Sequence, residues 1–224
     1  SQVGGGCAGG PVNVTDVDGN VYNVVTIGDQ CWMKENLKTT KYRNGTVITG
    51  NLNNSTWTND TLGAQADYNN DSTYTSIYGK LYNWYAIANP AGLCPVGWHV
   101  PSNGDWHKLI KFLDPAFDSS FVTAIYPTSA VNMLKATGQL QYGTGLWDGS
   151  AAAANNISGF TALPGGFREM NGIFYGINTS GYWWTSTFYH PGSSVVYYLN
   201  SSDDLLYASD DDLRRGYSVR CVRD

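Results

Sequence analysis

Residues 93–109 read LCPVGWHVPSNGDWHKL and hold one cysteine, one aspartate, two tryptophans and two of the chain's three histidines. Two readings compete for such a stretch: a metal or catalytic site, or the start of a helix that feeds the core. Ser102 follows Pro101, and Asp105 lies three positions beyond Ser102. At that spacing a side-chain oxygen and an acid can cap each other's free amides. Trp106, Leu109, Ile110 and Leu113 then recur at i, i+3, i+4 and i+7, one apolar stripe, and Pro115 ends it. The pattern predicts a helix from about 103 to 114. His107 falls beside Lys108 and Lys111 off that stripe, whereas His99 precedes the cap, so the two rings do not share a face. No H-E-x-x-H, C-x-x-C or H-x-x-x-H spacing occurs anywhere in the chain. Scaffold packing is therefore expected here, with the histidines as passengers.

The rest of the composition agrees with a loop-rich β-containing protein. Only 14% of the 224 residues are charged, while Gly (26), Tyr (16) and Trp (8) are abundant. A net charge of −5 with 13 Lys plus Arg leaves no basic stripe for phosphates, so nucleic acid is not an expected partner. No apolar run reaches the length of a membrane span. The opening SQVGGGCAGG resembles the mature end left after a signal peptide is removed. We take residues 1–10 as a lead segment and 11–224 as a single domain.

Four cysteines at wide spacings, Cys7, Cys31, Cys94 and Cys221, fit disulfides in an oxidising compartment better than a metal knuckle. They allow three connectivities. Cys7–Cys31 with Cys94–Cys221 is preferred, because the first closes a local loop onto the opening strand and the second ties the helix segment to the last strand. In the chain-entropy account each bridge contributes roughly 3 to 5 kcal/mol, the longer loop more.

Residues 11–27 show β-branched alternation on both sides of Asp18-Gly19, which predicts an antiparallel hairpin. A calcium loop of EF-hand type would need Gly sixth and an acid twelfth; here Gly19 is fourth and Ile27 twelfth. Residues 49–76, rich in Asn, Thr, Ser and Asp, read as a long surface excursion. A short helix is expected in the second half of 77–90, ending at Asn89-Pro90. Another turn or two of helix is expected in 130–138, closed by Gly138. From residue 160 strand-like segments follow one another as in an antiparallel meander, and the last alternates Tyr217, Val219 and Cys221 on a buried face against Ser218, Arg220 and Val222.

The ordered segments DVDGN with VY, IGDQCWMKENL, YGKLYNWYA, LCPVGWHVPSNGDW, LPGGFR, GYWWTST and GYSVRCVRD together resemble the Fibrobacter succinogenes major paralogous domain family over residues 12–224. That family is similar to the wider group with a C-type-lectin-like fold, which includes formylglycine-generating-enzyme-type domains and the variable ligand-binding proteins of diversity-generating retroelements. The resemblance implies an α+β, C-type-lectin-like domain: twisted antiparallel sheets, one or two short helices, long loops and chain ends brought together. It also implies export, chiefly in Bacteroidota and Fibrobacterota, to the cell surface or beyond.

A fold is not a function. Formylglycine-generating enzymes hold copper with a cysteine pair, but here Cys94 and Cys221 occupy framework positions. His99, His107 and His190 do not reproduce the three-histidine iron site of sulfoxide synthases. G-x-S-x-G, P-loop and glycosidase carboxylate patterns are missing as well, so no catalytic residue is assigned and a formylglycine-generating-enzyme-like oxidase remains the minor alternative. A binding or adhesion module recognising a glycan or surface protein is the leading expectation. Its candidate platform lies in loops between residues 186 and 216, where Tyr189, His190, Tyr198, Asn200, Asp203, Asp204 and Tyr207 combine flat aromatic faces with short polar groups. The bland reading of these tyrosines is half-buried sheet packing.

Five aspartates, Asp203, Asp204, Asp210, Asp211 and Asp212, make calcium the one candidate cofactor. The EPN and WND signatures of sugar-binding C-type lectins are absent, LWDG at 146–149 lacking the Asn, and a solvated acidic loop near Arg214 and Arg215 is the competing account. A structural subunit of a surface filament or secreted complex is the alternative function. Nine N-x-S/T triplets, among them Asn53, Asn54, Asn59 and Asn70, add candidate glycosylation sites.

Overall fold

Asp16 reverses the chain at the first turn. One of its carboxylate oxygens accepts from the amides of Asp18 and Asn20, both at 2.9 Å, and Gly19 adopts φ +85°. Strands β1 (Asn13–Thr15) and β2 (Val21–Ile27) therefore pair antiparallel, as the alternation predicts. These are the first elements of a computed structural model that describes residues 6–10, 12–149 and 153–224. The glycine-rich lead falls partly outside the described residues. Within it the amide of Gly6 donates to the carbonyl of Asp29, and Cys7 is bonded to Cys31.

After β3 (Gln30–Met33) come α1 (Asn54–Asn59), β4 (Gln65–Ala66), α2 (Ser72–Tyr78), β5 (Leu81–Tyr82), α3 (Trp84–Ile87), β6 (Trp98–His99) and α4 (Asn103–Leu113). The second half runs β7 (Ala124–Pro127), α5 (Ala130–Leu134), β8 (Gly165–Arg168), β9 (Phe174–Ile177), β10 (Ser180–His190), β11 (Ser193–Asn200), β12 (Leu205–Asp212) and β13 (Val222–Arg223). One sheet has the order β1-β2-β3-β13-β6, and the other β7-β12-β11-β10-β8-β9; β4 and β5 form a small pair of their own. The late segments form a meander through β10, β11 and β12, but β8 joins β10 in parallel, at Gly166 and Gly181. The fold is thus mixed α and β with largely antiparallel sheets.

Helix α4 starts where the sequence says. The Ser102 hydroxyl accepts from the Asp105 amide at 3.1 Å, and Asp105 accepts from the Ser102 amide at 2.8 Å, closing the capping box. Its apolar stripe enters the main core, where Trp106 stacks on Tyr197 of β11 at 4.7 Å and meets Trp32 of β3 edge-on at 5.6 Å. One indole thus bridges the two sheets. A second core surrounds the Cys94–Cys221 disulfide with Tyr22, Trp184, Tyr217 and Val219. Both bridges have the expected pairing, so no cysteine is free.

Three expectations are corrected. The polar stretch 49–76 is no bare surface excursion. Asn53 caps α1 by accepting from the Thr56 amide, Asp71 caps α2, and Trp57, Ala64 and Ala66 form a small core of their own. Asn and Asp, which the composition marks as loop formers, serve here as helix caps, and the described residues hold five α-helices where the resemblance implies one or two. Helix α5 ends at Leu134, earlier than Gly138, because Ala136 already hydrogen-bonds to Ala162. The segment around residues 217–222 is buried on both faces, including Arg220 at 1% exposure.

Arg220 explains why. Its Nε and Nη2 donate to the side-chain oxygen of Asn36 at 3.1 and 2.7 Å, Nη1 donates to the Phe160 carbonyl, and the guanidinium lies 4.3 Å over the Phe160 ring. Burial pushes its ordinary value down to about 9, which still leaves the cation charged at neutral pH. Arg168 is treated alike. It donates to the carbonyls of Gly172 and Leu52 while its guanidinium lies between Trp57 (4.3 Å) and Phe174 (4.8 Å). Neither has a carboxylate within ion-pair reach among the described residues.

Arg220→Met keeps the volume but removes the donors to Asn36 and Phe160, and is expected to lower the unfolding free energy by about 2 to 5 kcal/mol in urea titration. For the bridges, the double Cys→Ser variant at 94 and 221, which opens a separation of 127 residues, is expected to lose about 5 kcal/mol. The variant at 7 and 31, with a separation of 24, is expected to lose about 3 kcal/mol by the same measurement.

Candidate functional site

Residues two apart on a strand share a face, and the register of the six-stranded sheet puts Tyr182, Tyr198, Tyr207 and Ile125 opposite one another on β10, β11, β12 and β7. The three tyrosine rings stack, Tyr182 on Tyr198 at 4.7 Å and Tyr198 on Tyr207 at 4.6 Å. At the inner end Tyr217 stacks on Tyr182 at 4.9 Å, and Phe167 of β8 lies 4.9 Å from Tyr182 and 5.9 Å from Tyr175 of β9. An aromatic and aliphatic row therefore crosses the whole sheet. Burial is complete at Tyr217 and relaxes outward through the half-buried Tyr182, Tyr198 and Tyr207 to Ile125, 62% exposed; Tyr175, at the other edge, is 46% exposed.

The phenols stay protonated at neutral pH. Burial pushes Tyr182 up to about 12 and raises Tyr198 and Tyr207. Their polar neighbours are close: the Tyr207 hydroxyl donates to Asp203 at 3.1 Å, and the Ser180 hydroxyl donates to Asn200 at 3.0 Å. Because Tyr182 and Tyr198 are each stacked between two rings and Tyr217 is buried, the ladder offers ring edges, and any flat face left to it lies at its outer end, on Tyr207. This corrects the expectation of flat aromatic platforms. Behind the ladder, the Tyr217 hydroxyl donates to Asp211 at 2.5 Å, and Arg215 Nη1 lies 2.9 Å from the same oxygen. Arg215 Nε lies 2.9 Å from Glu169 without the alignment of a hydrogen bond. Burial pushes the Asp211 carboxyl up, although Tyr217 and Arg215 oppose it.

The candidate residues divide into two groups. Tyr198, Asn200, Asp203 and Tyr207 come together at one end of the sheet face, with Asp204 exposed beside them. Tyr189 and His190 lie at the far end of β10 at the turn into β11, where His190 is 3.1 Å from Asp210. The span 186–216 is mostly strand, not loop, since β10, β11 and β12 fill it. The five aspartates are likewise dispersed: Asp203 and Asp204 precede β12, while Asp210, Asp211 and Asp212 close it, paired with His190, Arg215 and Arg214. Among the described residues no group of three or more His, Cys, Asp or Glu side chains is arranged to hold a metal ion. Tyr182, Tyr217, Phe167, Tyr175 and Ile125 were not singled out in the sequence. The period-two pattern marks each as facing one side, but only the strand register aligns them.

His99 is more than a passenger. Its Nδ1 is 2.6 Å from Asp224 and its Nε2 3.3 Å from Asp105, so the ring joins the capping box of α4 to the segment after β13. His107 packs against Phe117, with its Nε2 buried and unpartnered.

Residues 25–223 match the family model described as the Fibrobacter succinogenes major domain, and the chain belongs to that family. No curated protein and no solved structure matches it. No helix among the described residues is long and apolar enough to cross a membrane.

The His99 contacts give a signed pH dependence. The bond to Asp105 raises His99 above 6.5, so its contribution to stability is present below that value and is lost as pH rises through the raised one. Burial raises Asp105, but His99 and Ser102 outweigh it and hold the carboxyl at about 2, so its share is present above 3.8 and is lost as pH falls toward 2. Thermal melting followed from about pH 5 to about pH 9 should fall for the wild type, and His99→Gln should remove that alkaline decline.

Proposed function

We propose that this protein is a non-catalytic binding module, exported and working at the cell surface or beyond, which holds an extended glycan or protein segment along the aromatic row of its six-stranded sheet. The observation that carries the reading is the row itself. An apolar band that crosses six strands and keeps Ile125 and Tyr175 open at its two ends is more than sheet packing requires. The hydroxyls of Tyr198 and Tyr207 with Asn200 and Asp203 supply hydrogen-bonding groups beside that band, a combination suited to amphipathic ligands such as sugars. A C-type-lectin-like arrangement is in keeping with the capped helix between two sheets and the disulfide that ties it to the closing segment. Two disulfides favour an oxidising compartment, and with every cysteine bridged no thiol pair is offered to copper.

The alternative is a subunit of a surface assembly, favoured by the exposed Phe121, Val122 and Ile125 at and before the edge strand β7. In that case the protein purified natively arrives with companions.

A glycan and surface-protein screen, run with added calcium and again with chelator, tests the binding reading. Tyr207→Ala and Tyr175→Ala are each expected to weaken the ligand found about tenfold or more while the variants still melt cooperatively. A ligand indifferent to both substitutions would place recognition elsewhere. A melting temperature that rises with calcium and drops with chelator would add the ion to the site.

A further inference from the structure

A second concavity lies away from the sheet face. It is a cavity of about 300 Å³ between the opening hairpin and the segment 93–96, walled by Val14, Val17, Leu93, Pro95 and Val96, with Arg43 at its border. Val17 and Val96 stand 46% and 80% exposed at the rim, so its mouth opens to solvent. An apolar hollow of this size with one placed cation is a plausible ligand geometry in general terms; the particulars make it selective.

Arg43 is held from behind. Its amide donates to the Gly92 carbonyl at 2.7 Å, its Nε to the Cys94 carbonyl at 2.8 Å and one terminal nitrogen, Nη2, to the Trp98 carbonyl at 2.7 Å. Gly92 lets the guanidinium lie close, since a Cβ there would sit 3.3 Å from its carbon. No carboxylate of the described residues pairs with it, and its remaining nitrogen, Nη1, has no protein partner among them. The acid that also borders the cavity, Asp16, is already satisfied: it accepts from the amides of Asp18 and Asn20, the Asn20 side chain and the Tyr22 hydroxyl. Thr39 is spent likewise, its hydroxyl donating to the Lys41 carbonyl at 2.8 Å and accepting from the Lys41 amide at 3.2 Å. The cavity therefore presents apolar walls, one bordering cation and no unsatisfied carboxylate, with Thr15 as its remaining polar side chain.

A ligand for such a place carries an anion and a compact aliphatic group. An ammonium is disfavoured there, because Arg43 already borders the cavity and the Asp16 carboxylate is saturated. We propose that the cleft binds the C-terminal end of a peptide chain whose last residue is aliphatic, its carboxylate on Arg43 and its side chain between Val14, Val17, Leu93 and Pro95. Capture of a chain end by a fixed donor is a recurring mode of peptide recognition, and a guanidinium with one terminal nitrogen left unpartnered can give a carboxylate a charge-assisted hydrogen bond. The hollow, at about 300 Å³, is large enough for a branched side chain. None of its residues belongs to the aromatic row, so the two sites stand or fall separately.

The test uses the whole protein and titrates acetyl-Ala-Ala-Leu with a free carboxylate while following amide and methyl NMR shifts. Saturable shifts at Val14, Val17 and Val96 are expected, with the C-terminally amidated peptide and free leucine each binding at least about tenfold more weakly. Arg43→Gln should abolish the shifts. Because that change also removes a bond to the Cys94 carbonyl, Val96→Glu serves as the second variant: on the exposed rim it should leave melting unchanged and weaken the carboxylate peptide several-fold. Equal binding of the amide or of free leucine, shifts unaffected by Val96→Glu, or no saturable shift up to about 50 mM peptide would each overturn the proposal.

Discussion

The buried positive charge of Arg220 is the constraint on which much of the architecture depends. A guanidinium taken from water with no carboxylate to meet it must be solvated by the protein's own oxygens. The oxygens come from segments far apart in the chain: the side chain of Asn36, which also accepts from the Trp183 indole at 2.9 Å, and the backbone of Phe160. Asn36 in turn donates to the Tyr78 carbonyl, so this residue pair ties together five segments, three of which, around 36, 160 and 220, are outside helices and strands. Arg168 repeats the device for the chain around Leu52 and Gly172. Dipoles and aromatic faces solvate both cations, which lets loops be ordered without long helices or strands.

The tyrosine ladder shows a different use of the same chemistry. Cross-strand aromatic pairs stabilise a sheet, and here two successive pairings are filled by stacked rings that continue into Tyr217 on the closing segment. The stack fixes how each phenol faces outward, which lowers the entropy lost when a ligand arrives. On the proposed reading, rigidity and recognition thus come from one set of contacts. The acid–arginine group around Asp211 sits at the buried end, where it satisfies the Tyr217 hydroxyl, while Asp203 accepts from the Tyr207 hydroxyl at the outer end.

Legibility followed the range of the interactions. The hairpin at Asp18-Gly19, the capping box at Ser102 and Asp105, the stripe through Trp106 and both disulfides were readable because each rests on near-neighbour spacing or on few alternatives. The ordering of 49–76 was hidden because Asn53 and Asp71 look the same in a loop as at a helix cap, and Trp57 finds its partner, Arg168, far along the chain. Part of the candidate site was visible in Tyr198, Asn200, Asp203 and Tyr207. Its inner half was not, since aligning Tyr182 with Tyr198 needs the strand register and adding Tyr217 needs the closing segment.

The strand order of the first sheet has a consequence for the life of the chain. With β13 lodged between β3 and β6, that sheet keeps a gap in its middle until residues 222 and 223 are available. Pairings of such long sequence separation form slowly. A chain growing from its N-terminal side would thus hold an incomplete sheet, its central position vacant, until residues 222 and 223 are free to enter, and only then close it.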